Sequence, residues 1–254
     1  YMMSMKCIPG GRYLYYAGRP LHFWNNCFLF RCEEDTREEW AAVMERSVSA
    51  LMSGGGIGND YSIIRPGGRL LKRTGGISSG PLSLMNMVNE AGRYVMQGGA
   101  RRSAIYASLN WQHDDIIDFI YSKNWPDKIV QLKADDFNFP APLDMTNISV
   151  NWDTEFIENV QGGDVDELWY QSVAQMLKTG EPGHSYNFWE NENETLRNAC
   201  GEITSEDDSD VCNLGAVNLA RIKSIEELKD VTELLAKFLV AGTTRSDLPM
   251  EKVY

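Results

Sequence analysis

Residues 197–203 read Arg-Asn-Ala-Cys-Gly-Glu-Ile and, after a mostly acidic and polar stretch, residues 211–214 read Val-Cys-Asn-Leu. The first run sets Cys200 between an amide, Asn198, and a carboxylate, Glu202. Side chains on an extended strand repeat every two residues, so an extended segment would project all three to one side. A thiol flanked by a hydrogen-bonding amide and a base is equipped for radical chemistry. A free cysteine is also commonly no more than a small buried hydrophobe. The triplet alone leaves both readings open.

Around this stretch the chain alternates between two periodicities. Trp40, Val43, Met44, Ser47, Val48 and Leu51 recur at helical spacing, predicting a helix over 36–53 with Asp35-Thr36 as its cap. Further helices are expected over 82–96, 114–121, 165–177 and 224–240, and strands over 102–109 and 146–152. Such alternation predicts an α/β architecture with mainly parallel strands. Gly54 to Gly58 is a glycine run of the dinucleotide-binding kind only if it opens a helix. The residues after it, Asp60-Tyr61-Ser62-Ile63-Ile64, do not start one.

Composition narrows the class. With 254 residues, 43% hydrophobic and 24% charged, the chain has the make-up of a globular protein with one sizeable core. A net charge of −12 argues against nucleic acid or an anionic membrane as partner. The absence of a long apolar run or signal-like start points to a cytoplasmic location. Five cysteines (7, 27, 32, 200 and 212) without a Cys-x-x-Cys pair suggest neither a disulfide framework nor zinc; a disulfide here is expected to be catalytic, and Cys7 and Cys32 to be structural. No metal-ligand cluster is expected: neither His113 nor His184 has a second ligand at metal-binding spacing. His113 reads as an ordinary helix N-terminal residue, His184 as part of the loop leading to residue 197. The start at Tyr1 and the stop at Glu-Lys-Val-Tyr read as cut ends, so a fragment or one half of a split protein is expected.

Several segments, in order, resemble the catalytic subunit of the ribonucleotide reductase family. They are Asn-Asn-Cys-Phe-Leu-Phe at 25–30, Gly-Gly-Gly-Ile-Gly-Asn at 54–59, Thr-Gly-Gly-Ile-Ser-Ser-Gly-Pro at 74–81, Gln-Gly-Gly-Ala-Arg-Arg-Ser at 97–103, His-Asp-Asp-Ile-Ile-Asp-Phe-Ile at 113–120, Asn-Ala-Cys-Gly-Glu at 198–202 and Val-Cys-Asn-Leu-Gly-Ala-Val-Asn-Leu at 211–219. Each is weak alone; their order and spacing carry the resemblance. It implies a ten-stranded α/β barrel with a central finger loop, of which residues 1–254 would form about the first half as one partial domain.

The resemblance also implies roles. Cys200 would carry the thiyl radical, Glu202 would be the general base for the ribose 3′ hydroxyl and Asn198 would hold the ribose hydroxyls. Cys27 and Cys212 would be the dithiol that becomes a disulfide, which requires Cα atoms within about 7 Å. Asn26 and Gly56 would face the substrate. Asp35, Arg65 and Lys72 would hold a deoxynucleotide effector, with Gln97 and Arg101 relaying its identity; such a site implies a homodimer. The partners implied are a ribonucleoside di- or triphosphate, a thioredoxin-like reductant and a complementary C-terminal half. Asn26 before Cys27, and Pro9-Gly10-Gly11-Arg12, resemble the adenosylcobalamin-dependent class more than the class served by a metal-containing radical subunit. Competing readings are that second class, a non-catalytic nucleotide-binding regulatory module, and a redox-sensing thiol protein.

Overall fold

Helix 36–53 forms where the sequence asks for it. Thr36 Oγ1 accepts the Glu39 N–H at 3.1 Å, Glu38 and Glu39 occupy the first turn, and Gly54 closes the helix at φ 91°. The computed structural model describes residues 1–72, 75–95, 102–163 and 167–250. Its elements in chain order are β1 (Cys7–Pro9), α1 (Gly11–Tyr16), β2 (Cys27–Arg31), α2 (Arg37–Ser53), β3 (Gly56–Asp60), α3 (Pro81–Tyr94), β4 (Ile105–Asn110), α4 (Ile116–Tyr121), α5 (Asp127–Asp135), β5 (Thr146–Trp152), α6 (Thr154–Gln161), α7 (Glu167–Thr179), β6 (Gly183–Tyr186), β7 (Leu196–Arg197), β8 (Thr204–Ser205), β9 (Val211–Cys212), β10 (Gly215–Val217) and α8 (Ile225–Thr243).

A six-stranded sheet runs in the order β6-β5-β4-β3-β2-β9. Strands β2 to β6 are parallel neighbours and β9 joins β2 antiparallel. The mainly parallel α/β expectation therefore holds. The sheet's two faces differ in chemistry. Phe28, Phe30, Ile57, Ile105, Ala107, Leu109, Ile148, Val150 and Trp152 lie on one face, in the main core with α2, α3 and α4. Burying side chains of this size contributes about 1.5–3 kcal/mol each. The register puts Cys27, Gly56, Gly58, Tyr106, Asn147, Ser149 and Ser185 on the other face. This is the concave side of a half-barrel, and on it lies the two-stranded hairpin β7-β8.

Three helices and several short strands, β3 and β6 among them, were not anticipated. α1 is a six-residue helix, and α5 buries none of its residues, so it lacks the apolar stripe that marks a helix in sequence. α6 did have a signal, since the Asp153 carboxylate caps it by accepting the Phe156 N–H at 3.2 Å. The four-residue β6 pairs with β5, so His184 stands on an edge strand rather than in a loop. No helix among the described residues is long and apolar enough to cross a membrane.

Candidate active site

The segment around Cys200 is a turn, not a strand. Leu196 and Arg197 pair with Ser205 and Thr204, and residues 198–203 form the connecting tip. There Gly201 adopts φ +84°, a conformation that suits glycine, and its N–H donates to the Asn198 carbonyl at 3.0 Å. This corrects the extended reading: Asn198, Cys200 and Glu202 do not share one face. Asn198 is fully buried, its Oδ1 accepting the Ile203 N–H at 3.2 Å and its Nδ2 donating to the Cys212 sulfur at 3.7 Å. Cys200 and Glu202 are exposed at the tip.

Two glycines let this hairpin lie on the sheet. At Gly58 any side chain would collide with the Arg197 carbonyl, and at Gly56 a β-carbon would come within 2.7 Å of Ala199 and 3.1 Å of the Cys27 sulfur. The missing side chain at Gly56 makes room for the tip of the hairpin. Asn26 is built into the backbone around it, donating its N–H to the Cys212 carbonyl at 2.9 Å and accepting the Gly56 N–H at 2.8 Å. Its Oδ1 accepts the Leu214 N–H at 3.2 Å.

Cys27 and Cys212 are direct register partners across β2 and β9. Opposite residues of an antiparallel pair have Cα atoms about 4.5–5.5 Å apart, within the span a disulfide bridges. Both thiols are buried, at 6% and 4% exposure, and they cluster with Ala199 of the tip. They titrate as a pair. The Cys212 thiol donates to the Cys27 sulfur and lowers Cys27 to about 7 against the cost of burial, helped by the Ala199 N–H. Cys212, which holds the shared proton, is pushed far up by that same bond and by burial. Cys200 moves up too, first because it is partly desolvated and then because Glu202 and Cys27 are nearby. One cysteine pair is thus ready to react as a thiolate near neutrality while the tip cysteine stays a thiol. Disulfide formation between Cys27 and Cys212 by a small oxidant should accelerate with pH and be half-maximal at about pH 7, with Cys200 unmodified over the same range. Peptide mapping by mass spectrometry reads this out, and a half-point near the ordinary thiol value would refute it.

A cavity of about 340 Å³ adjoins the tip, lined by Tyr106, Asn147, Ser149, Ser185, Arg197 and Cys200 among others. The buried Tyr106 Oη faces Ser149 and Ser185 without a hydrogen bond of normal geometry. Sequence reasoning missed Tyr106, Asn147 and Arg197. Its one available signal was the alternation Asn147, Ser149, Asn151 along β5, which marks a polar face.

The remaining expectations divide. Asp35 and Arg65 come together: the Asp35 carboxylate accepts from the Arg65 backbone N–H at 3.2 Å and from its Nε. Lys72 is exposed. Gln97 and Arg101 lie outside the described residues. His113 has a structural place, with Nδ1 accepting the Asp115 N–H at 3.0 Å and Nε2 2.7 Å from the Ile64 carbonyl. His184 accepts the Trp152 indole N–H at 3.0 Å, and burial pushes its pKa down. Cys7 and Cys32 are buried away from the tip cluster.

A profile of the ribonucleotide reductase barrel domain matches residues 25–161 and 145–254. The chain belongs to the ribonucleotide reductase family. It is 27% identical over 283 residues to the vitamin B12-dependent ribonucleoside-diphosphate reductase of Thermoplasma acidophilum, covering 99% of this chain and 35% of that protein. A protein of the same name from Mycobacterium tuberculosis is 25% identical over 268 residues, covering 94% and 37%. The ribonucleoside-diphosphate reductase large subunit of Danio rerio is 28% identical over 273 residues, covering 89% and 34%. The chain therefore spans about a third of the length of these relatives. Family membership and the half-barrel sheet agree with the barrel the resemblance implied.

Proposed function

We propose that the protein carrying this chain reduces ribonucleoside di- or triphosphates to 2′-deoxyribonucleotides for DNA synthesis, with Cys200 as the radical-bearing thiol. The observation that carries the proposal is the register pairing of Cys27 with Cys212 directly beneath the tip that holds Cys200. A thiyl radical at Cys200 takes the 3′ hydrogen atom of the ribose, and exposed Glu202 accepts the 3′ hydroxyl proton. The 2′ hydroxyl leaves as water, and Cys27 and Cys212 supply two electrons and two protons as they close to a disulfide. The hydrogen atom then returns from Cys200 to C3′. A thioredoxin-like dithiol reopens the disulfide. Beyond its bonds to Ile203 and Cys212, Asn198 keeps a second Nδ2 hydrogen and a second Oδ1 lone pair, with which it would hold a ribose hydroxyl. Asn26 and Gly56, at the tip, would lie beside the substrate.

Adenosylcobalamin fits the radical source the site needs. The cavity next to Cys200 is within the size of small-molecule clefts, about 300–1,000 Å³, and Tyr106 Oη and Ser185 Oγ are buried polar atoms that make no hydrogen bond of normal geometry. These residues would hold its nucleoside end, and when bound it supplies the one-electron oxidant for Cys200. The relatives named vitamin B12-dependent support this reading; those named large subunit support the competing one, a separate metal-containing radical subunit. Turnover of the full-length protein with a dithiol reductant is expected to require adenosylcobalamin. Turnover without it, dependent on a second metal-containing protein, overturns the cofactor and leaves the cysteine roles standing.

Asp35, Arg65 and Lys72, with Gln97 and Arg101, would take a deoxynucleotide effector in a homodimer. Asp35 already occupies part of the Arg65 guanidinium, leaving its other N–H groups and Lys72 for phosphate. A cytoplasmic location accords with this function.

A further inference from the structure

One transverse row of the sheet holds the turn that carries Cys200. Gly58, Tyr106 and Asn147 are register partners on β3, β4 and β5, so their side-chain positions stand side by side on the concave face. Each meets a different part of the hairpin. Bare backbone at Gly58 receives the Arg197 carbonyl, and the Tyr106 ring lies 3.7 Å from where a Gly201 β-carbon would stand. Asn147 donates its Nδ2–H to the Ala199 carbonyl at 3.0 Å.

That carbonyl belongs to the peptide joining Ala199 to Cys200. A peptide unit is planar, so fixing its oxygen fixes the plane from which the Cys200 side chain departs. The Ala199 N–H, one peptide earlier, is directed to the Cys27 sulfur. The bonds of Gly201 N–H and Ile203 N–H to Asn198 close the turn on itself. They leave its tilt toward β5 to be set by Asn147.

We propose that Asn147 is a positioning residue for Cys200: its amide sets the height and direction of the thiol by holding the Ala199–Cys200 peptide. The proposal rests on reading Cys200 as the radical thiol. Hydrogen-atom transfer requires near contact, and a misplacement of about 1 Å can cost about a hundredfold in rate.

The test uses Asn147→Ala, Asn147→Asp and Asn147→Gln in the full-length protein, with kcat and KM measured alongside the pH profile of Cys200 alkylation by iodoacetamide. In Asn147→Ala, kcat should fall about a hundredfold with KM within about twofold. The Cys200 alkylation midpoint should move down as the loosened thiol becomes better hydrated. Asn147→Gln keeps the N–H donor and should recover part of kcat. Asn147→Asp matches the shape without the donor and should not, and it carries the test if Asn147→Ala fails to fold. A wild-type kcat with an unmoved alkylation profile overturns the proposal, as does a loss carried entirely by KM. If Cys200→Ser retains turnover the functional reading fails by itself, and the alkylation profile still decides whether Asn147 holds the thiol.

Discussion

Cys200→Ser in the full-length protein is expected to lower deoxynucleotide formation by at least about 10⁴-fold, the scale of losing an essential reacting group. Nucleotide binding should stay within about twofold. A serine hydroxyl can occupy the tip, since Cys200 is exposed, but its O–H bond is too strong to yield a radical that exchanges hydrogen with a ribose. The loss should therefore be confined to the chemical step. Equilibrium binding of a ribonucleotide, measured with single-turnover formation of product, separates the two. Appreciable turnover by the variant would remove Cys200 from the mechanism.

Among the described glycines, Gly58→Ala should be the most damaging single methyl group. Its β-carbon would be driven into the Arg197 carbonyl, a backbone atom that cannot rotate away. Either β7 lifts off the sheet or β3 bends, and overpacking of this kind costs about 1–3 kcal/mol. Lifting the hairpin also moves Cys200 away from Cys27 and Cys212, so activity should fall by more than stability does. Gly67→Ala is the matched comparison. Its nearest neighbour would be the Asp115 carboxylate at 3.6 Å, an ordinary contact, and its effect on stability should stay within about 0.5 kcal/mol. Urea unfolding and turnover of both variants check this. Equal behaviour of the two would mean the hairpin does not rest on the sheet as described.

The sequence carried much of this, and what it hid has a physical reason. The strand over 146–152 and the helix after Thr36 were legible because side-chain patterning and capping are local. The pairing of Cys27 with Cys212 came only through resemblance, since no local rule sets register between strands that far apart. The triplet at Asn198, Cys200 and Glu202 was picked out from the sequence and given the wrong conformation. Period-two spacing fits a strand, but Gly201 at φ +84° turns the chain between the cysteine and the carboxylate. The alternation along β5 marks Asn147 as facing a polar side but not what it meets there, and Tyr106 carries no such mark, because the importance of both comes from facing a hairpin some fifty or more residues downstream. α5 escaped notice because it presents no buried face.

The antiparallel strand that carries Cys212 follows the finger almost immediately, whereas Cys27 precedes nearly the whole sheet. On a ribosome adding about 5–20 residues per second, Cys27 emerges on the order of ten seconds or more before any partner exists. In that interval β3 to β6 can form against β2 while its other edge stays open. Cys200 and Cys212 then arrive together, and β9, the last strand of the six-stranded sheet to be made, brings the dithiol and the radical carrier into place in one event. A nascent chain therefore has no means of closing this redox pair early, and the reactive site comes into being only on a scaffold already built.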